Sequence, residues 1–294
     1  MNTLEDMRIF VATLETGSFT AASEQLALSK QFVSRRVMAL EARLGVRLLN
    51  RTTRRLHVTD AGHEYYARAV RILEDVSDAE LAVSSRGGRV QGTLRVSAPM
   101  SFGTLVLGEL VPAFMLRYPA IRLELELNDR SVDLVREGYD MAIRIGRLED
   151  STLVARALAP TRMLTCCSPA YLEGRGAPAT PDQLGEHDCL LYGHGRGSAW
   201  GFQVDGRPYP VQVEGRLLAN NGEMVREAAI AGLGIAWQPG FIVGAALRAG
   251  TLVSVLDDFA PPPMAVHVVY PQHRQASLAI RALTDFLVEA LSPS

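Results

Sequence analysis

Apolar residues in the first 45 positions recur at three- and four-residue intervals, the period of helices with one buried face. Leu4, Met7, Phe10, Val11 and Leu14 predict a first helix from about Leu4 to Glu15, closed by Gly17. A short second helix follows from Phe19 to Leu26; Ser18 can cap it, and Ala21 and Ala22 let a neighbour come close. After a tight break at Ala27 and Leu28, a third helix runs from Ser29 to Leu44, with Ser29 as its cap. Val33, Val37, Leu40 and Leu44 place a buried stripe along one side of it. Two helices joined by so short a break form the pattern of a helix-turn-helix. The run Asn50-Arg51-Thr52-Thr53-Arg54-Arg55 lies between Leu48-Leu49 and Leu56, in a segment short enough to be a two-stranded wing.

Thr59-Asp60-Ala61-Gly62 opens a long helical stretch in which Tyr65, Ala69, Ile72, Val76, Ala79 and Val83 alternate steps of four and three, up to Gly87-Gly88. A narrow seam of that period predicts pairing with a second helix, hence a dimer. An amphipathic helix lying on its own domain is the alternative, but a helix of this length has little of so small a domain to lie on.

Beyond it the period shortens to that of strands. Leu94 to Ser97, Ile121 to Leu127 and Met141 to Ile145 read as strands, with helices at about Phe102 to Arg117 and Ser131 to Glu137 between them. A second set has strands near Met163 to Cys167, Leu190 to Tyr192, Gly215 to Leu218 and Gly234 to Trp237, and a helix near Glu223 to Ala231. Alternation of this kind implies a parallel sheet. A last strand, Ala265 to Tyr270, and a last helix, Leu278 to Leu291, return to the first set.

Composition sharpens this division. The chain has 294 residues, enough for a small domain and a larger one, and 48% hydrophobic residues supply real cores. The formal charge of −2 hides an asymmetry: positions 1–58 hold nine basic and five acidic residues, a net of +4, which leaves −6 for the remainder. A basic head on an acidic body fits a nucleic-acid-facing head. Lys30 is the sole lysine, a bias that genome composition alone explains. The N-terminus has neither a basic n-region nor an apolar h-region, and no window reaches the ~18 uncharged apolar residues of a membrane span. The expectation is a cytoplasmic protein with no membrane partner, in which Cys166, Cys167 and Cys189 stay reduced.

The third helix carries the candidate chemistry of the head. Its stripe leaves Lys30, Gln31, Ser34 and Arg35 on the opposite side, with Ser29 at its start. Gln pairs with adenine edges and Arg or Lys with guanine edges, whereas Ser bonds a base or a phosphate. A merely solvated face is the alternative, and it yields beside a helix-turn-helix and a basic wing. Arg51, Arg54 and Arg55 on that wing suit phosphates or a minor groove.

These stretches resemble the LysR-type transcriptional regulators. The resemblance rests on Phe19 through Leu26, Leu40 through Leu49 with Arg51, and Leu56 through Gly62. In the body it continues through Gly92-Thr93-Leu94-Arg95-Val96, Arg117-Tyr118-Pro119, Glu137-Gly138-Tyr139-Asp140 with Ala142-Ile143-Arg144, and Ala231-Gly232-Leu233-Gly234-Ile235. Lys30 and Phe32 depart from the family pattern, which more often has Gln and a small residue there, so the operator sequence is not transferable. The resemblance implies a multi-domain α/β chain. It would comprise a winged helix-turn-helix over 1–59, a linker and dimerisation helix over 60–88, and a periplasmic-binding-protein-like sensor over 89–294. The sensor's first lobe would span about 92–162 and 268–294, and its second about 163–267. It further implies a dimer through the linker helix and a homotetramer on double-stranded DNA with an interrupted palindrome, RNA polymerase as a further partner, a small-molecule effector, and no cofactor.

Ligands of open parallel sheets bind beyond the carboxyl ends of strands, beside helix N-termini. Those places hold Pro99, Met100 and Ser101 after the first strand, Asn128 after the second and Arg144 at the third. The second lobe offers Thr165, Trp200, Phe202 and Asn221, with Asn220 beside it. They suit a small anionic or polar organic molecule: helix N-termini and Arg144 for an oxyanion, Asn128 and Asn221 for hydrogen bonds, Trp200 for a ring. Each has an ordinary alternative: Trp200 in the core, Arg144 paired with Asp140 or Glu149, Asn220-Asn221 capping a helix.

Enzyme chemistry finds little footing. No Gly-x-Ser-x-Gly elbow, phosphate loop or His-Glu-x-x-His helix occurs. His187, Cys189 and His194 with Cys166 and Cys167 match none of the paired-cysteine zinc spacings. A redox role for Cys166-Cys167 is weak, since on a strand they point to opposite faces, one of them buried. The missing signal peptide and the DNA-binding head argue against a solute-binding protein, and the cleft argues against a constitutive architectural DNA binder.

Overall fold

The computed structural model describes residues 2–51, 56–84, 90–146, 148, 151–193 and 197–292. They divide into two compact units, Met1–Gly88 and Arg89–Ser294.

In the first unit, α1 (Thr3–Glu15), α2 (Phe19–Gln25) and α3 (Lys30–Leu44) enclose a core of Ile9, Phe10, Ala22, Val33, Val37 and Leu40. The Ser18 and Ser29 hydroxyls accept the backbone N–H of Ala21 at 3.1 Å and of Phe32 at 3.2 Å, so both serines cap as their sequence position predicts. Ala27, between the two helices, takes a left-handed φ of +52°, which makes the tight turn. Strands β1 (Leu49–Arg51) and β2 (Leu56–Val58) pair antiparallel as the wing, with Asn50 opposite His57. A Glu41 carboxylate oxygen accepts the N–H groups of Leu48 and Leu49, both at 2.9 Å, and fastens the base of the wing to α3.

Helix α4 (Asp60–Ser84) starts on this same core. A Cβ on Gly62 would lie 2.2 Å from the Leu48 carbonyl oxygen, so only glycine allows α4 to cross the wing so closely. The seam expected to serve a second helix is partly used at home. Ala69 is buried, and Tyr65 packs edge-on against Phe10 with centroids 5.4 Å apart, because the three small helices leave a side that α4 must close. Ile72 is exposed; the side chains of Ala79 and Val83, like Gly87-Gly88, lie outside the described residues.

The second unit has two lobes. The first is a five-stranded sheet ordered β4-β3-β5-β13-β6, from β3 (Gly92–Ala98), β4 (Ile121–Leu127), β5 (Met141–Ile145), β6 (Leu153–Thr161) and β13 (Met264–Pro271). Helices α5 (Met100–Phe102) and α6 (Gly108–Arg117), joined through one π turn at Gly103–Leu107, lie on it with α11 (Leu278–Leu291); the short α7 (Leu134–Glu137) follows β4. Among the described residues, Met100–Arg117 is long and apolar enough by composition to cross a membrane. It contains Glu109 and Arg117, and Phe102, Leu107 and Phe114 bury its apolar side in the lobe core.

The second lobe is six-stranded, ordered β12-β7-β11-β8-β10-β9. Its strands are β7 (Met163–Cys167), β8 (Cys189–Tyr192), β9 (Gly197–Val204), β10 (Arg207–Ala219), β11 (Ile235–Pro239) and β12 (Val253–Val255). Helix α8 (Pro169–Arg175) follows β7, and α9 (Gly222–Ile230) and α10 (Gly240–Arg248) cover one face.

Both sheets are mixed, which corrects the parallel expectation. β3 runs parallel to β4 and β5, but β13 re-enters from the other lobe and pairs antiparallel with β5 and β6. In the second sheet β7 runs antiparallel to β11 and β12. The chain crosses between lobes at Arg162 and again ahead of Met264, earlier than the boundary at 267–268 that the sequence suggested.

Candidate functional site

Two places have the makings of a binding site, one in each unit. On the head, the stripe of Val33, Val37 and Leu40 is fully buried, which turns Lys30, Gln31 and Arg35 to solvent; Ser34 is half-buried and Ser29 caps the helix. The Arg35 guanidinium lies 5.7 Å from the centre of the Phe32 ring. Two neighbouring arginines have other work. Arg36 lies 2.6 Å and Arg43 3.6 Å from the buried Asp6 carboxylate, holding α1 against α3. Arg51 ends β1; Arg54 and Arg55 lie outside the described residues.

In the body, a cavity of about 430 Å³ opens between the two lobes. The carboxyl ends of β3, β4 and β5 bring Pro99, Ser101, Asn128 and Arg144 to one wall, and β9 brings Trp200 to the other. Four expected residues stand outside that wall. The cavity reaches Ser198 and Trp200 along β9 and stops short of Phe202; Trp200 and Phe202 are both buried in the lobe core. Thr165 is buried within β7, where its carbonyl accepts the Ser254 hydroxyl at 3.5 Å. Asn221 caps α9 by accepting the Met224 N–H at 2.8 Å, and its amide donates to the Met100 sulfur at 3.4 Å. Met100 in turn gives its N–H to Asp129 at 3.0 Å.

The residues that sequence reasoning missed are Trp237 and Gln238 at the end of β11, Tyr192 at the end of β8, and Asp129 and Phe241. The β11 strand was legible as Gly234 to Trp237; the rule applied to the first lobe's strands, that ligands meet carboxyl ends, points to Trp237 and Gln238 as well. Trp237 lies nearly parallel to Trp200, 6.2 Å between centroids. Phe102 and Phe241 meet edge to face across the lobes at 5.4 Å.

The electrostatics of the cleft are uneven. Arg144 makes no ion pair among the described residues; Asp140, one of its expected partners, instead pairs with Arg274 and accepts the Arg95 N–H at 2.7 Å, and Glu149 lies outside the described residues. Burial and then the nearby Arg130 charge lower the Arg144 pKa. Burial raises the Tyr192 hydroxyl, as does the Asp129 carboxylate to which it donates. Across the lobes, Ser101 and Thr104 both donate to the Glu223 carboxylate, and Ser101 accepts the Gly222 N–H at 3.2 Å. A Cβ on Gly222 would lie 2.5 Å from the end of the Ile242 side chain and 3.0 Å from the Ser101 hydroxyl, so glycine lets this junction close without moving them. Burial would push Glu223 up, but the two hydroxyls, its own N–H and Arg226 outweigh it and hold the carboxyl below its ordinary value.

The three cysteines offer no reactive site. Cys166 and Cys167 do face opposite sides of β7, but both sides are covered, so both thiols are buried, where one had been expected exposed. Burial pushes Cys166 and Cys189 up to about 12 and Cys167 to about 11. No group of metal-ligating side chains forms among the described residues.

A helix-turn-helix head with an exposed polar helix face, joined to a two-lobed domain with a cleft, is the architecture of a ligand-sensing DNA-binding protein. Known families agree unit by unit. Residues 4–63 match the bacterial regulatory helix-turn-helix protein model of the lysR family, and residues 87–292 match the LysR substrate binding domain. The chain belongs to the LysR family of transcriptional regulators. It is 37% identical over 285 residues to an uncharacterized HTH-type transcriptional regulator of Haemophilus influenzae, covering 97% of this chain and 99% of that one. It is 36% identical over 289 residues to the HTH-type transcriptional regulator CrgA of Neisseria meningitidis, covering 98% and 96%. The CrgA crystal structure covers both chains fully with a TM-score of 0.65 at 35% identity. The full-length structure of the Vibrio cholerae virulence activator AphB covers 99% of this chain and all of its own, with a TM-score of 0.62 at 29% identity.

Proposed function

We propose that this regulator binds a two-fold symmetric operator through α3 and the wing, and that a small organic effector held between the lobes switches it. The head would read bases with Gln31, Lys30 and Arg35 and grip phosphates with Ser29, Ser34, Arg51, Arg54 and Arg55. The later turns of α4, from Ile72 onward, would pair two chains, and two such dimers would form a homotetramer in the cytoplasm, acting on RNA polymerase access. The cleft is the observation that carries the effector reading. It holds Arg144 without an ion pair among the described residues, and the Ser101 and Thr104 contacts with Glu223 span the two lobes beside it. A ligand acts here only through its different affinities for two lobe arrangements.

Footprinting of the DNA upstream of the protein's own gene, with the full-length chain across a salt series, tests this. The expected result is a protected interrupted palindrome with a flanking second region, whose protection pattern changes with effector. Unchanged protection when Asn128 or Arg144 is mutated, with the effector response retained, would place the switch elsewhere.

A further inference from the structure

The cleft described above carries more information about its ligand than its size. Four buried side-chain atoms on its wall have no hydrogen-bond partner: Arg144 Nη2, Trp237 Nε1, Gln238 Nε2 and Asn128 Oδ1. Buried polar groups are normally paired, and these four belong to residues that line one cavity, so a guest that reached them would supply the complement they lack. Gln238 is the sharpest case, being 1% exposed.

Three of the four are donors. Arg144 uses its other terminal nitrogen to donate to the Ile143 carbonyl at 3.1 Å, so one arm of the guanidinium is left for a guest. The fourth is an acceptor. The Asn128 amide nitrogen donates to Glu126 at 3.2 Å, which fixes the orientation of the group and leaves its oxygen to receive a proton donor. The N-terminal end of α5 supplies little of this. Asp129 already takes the Met100 N–H, and the Ser101 and Thr104 hydroxyls are engaged by Glu223. An incoming carboxylate is therefore directed to Arg144 and not to the helix end, the other of the two places that the sequence offered.

Much of the remaining wall is apolar, beside Asp129, Arg130, Ser131 and Ser198. Trp200 and Trp237 lie parallel, Phe102 and Phe241 close the side, and the thioethers of Met163 and Met264 add polarisable surface. At about 30 Å³ per water, the cavity equals roughly fourteen water molecules, room for one or two fused or linked rings with substituents.

Resting on the effector reading above, we propose that the cleft takes a hydroxylated aromatic carboxylate. Its carboxylate would meet Arg144 and a buried donor beside it, its ring would lie against the tryptophan pair, and its hydroxyl would both accept from the wall and donate to Asn128.

The molecule contains its own reporter, because its two tryptophans, Trp200 and Trp237, both line the cleft. Full-length protein is titrated with 4-hydroxybenzoate, 4-hydroxyphenylacetate and 4-hydroxycinnamate, following tryptophan emission and, in parallel, heat of binding. The neutral 4-hydroxybenzamide, cyclohexanecarboxylate and malate serve as comparators. At least one hydroxyaryl acid is expected to quench the emission at one molecule per chain, at least tenfold tighter than all three comparators. Arg144→Gln should weaken that acid about 10- to 100-fold while changing the affinity for the benzamide by less than about threefold. Gln238→Leu, which removes a buried unpaired donor, should keep the melting temperature and also weaken the acid.

Tighter binding of malate or cyclohexanecarboxylate, equal affinity of Arg144→Gln for the acid, or no binding across the hydroxyaryl acids would overturn the ligand class. The wider reading fails separately. A Ser198→Phe variant fills the cleft, and if the small-molecule fraction of a cell extract still shifts its operator footprint, the effector does not bind there. Loss of that shift in Ser198→Phe, with the hydroxyaryl acids inert, keeps the cleft as the site and removes only the aromatic acid.

Discussion

The head and the cleft present their binding groups in opposite states of solvation. Lys30, Gln31 and Arg35 stand in water, so a partner gains from them mainly by charge and pattern, and salt weakens the attraction. Arg144 Nη2, Gln238 Nε2 and Trp237 Nε1 are instead buried and without a hydrogen-bond partner. Hydrogen bonds to them are stronger for it, little screened by salt, and selective, since a molecule lacking the matching group leaves them unmet. On the function proposed above, a single chain would separate two recognition tasks: tolerant, long-range capture of a polymer, and strict discrimination of a small molecule.

The largest effect that separates the two is on stability. Asp6→Ala leaves the Arg36 and Arg43 guanidiniums without their buried partner and should cost the head about 3 kcal/mol. Calorimetry should show the head transition falling and operator binding lost, while tryptophan emission, which reports the body alone, keeps its unfolding temperature. A joint fall of both transitions would show that the units are not independent. Next come the surface charges. Arg54→Ala or Arg55→Ala should weaken binding to all sequences and reduce the slope of log affinity against log salt by ~1 for each lost phosphate contact, with ligand affinity in the cleft untouched. Arg35→Ala or Gln31→Ala should instead change which sequences emerge from a binding-site selection.

A smaller effect concerns the junction of the lobes. The Glu223 carboxyl is held below its ordinary 4.5, so its charged form favours the junction. The contribution is therefore complete above that value and lost as pH falls through the depressed one. Glu223→Gln should change ligand affinity several-fold at neutral pH and abolish the additional loss expected as pH falls below 4.5. The last expectation is no effect at all. At pH 8 a thiol reagent should react with none of the three cysteines until denaturant is added, because burial holds all three thiols at about 11 to 12.

Much of the fold was legible where one period dominates. β4, β5, β7 and α11 fall on the residues that alternation, a short apolar run or helical spacing gives: β4 and α11 set one face against a core, and β5 and β7 are covered on both. The long β10 was cut to Gly215 to Leu218, since Arg207-Pro208-Tyr209-Pro210 reads as a turn. That stretch pairs with β9 alone, which leaves one side of the strand free for two residues that lack an N–H. β6 was missed for a related reason: its exposed Ala155, Arg156 and Ala157 interrupt the alternation, and it lies at the edge of its sheet. The cleft was half legible. Residues at the ends of first-lobe strands could be read from strand order, and the same rule reaches Tyr192, Trp237 and Gln238 at the ends of β8 and β11, which run parallel as expected. Distance along a strand decided the rest, as Trp200 against Phe202 shows.

The grip of Glu41 on the Leu48 and Leu49 N–H groups has a consequence for the DNA. On the function proposed above, this fastening would let the head meet the duplex with a set span from α3 to the base of the wing. A duplex whose grooves do not match that span must bend or twist to fit, and the work of doing so depends on the flexibility of its base steps. Operators with identical bases under α3 would then be ranked by the stiffness of the steps between the contacts, which no side chain touches.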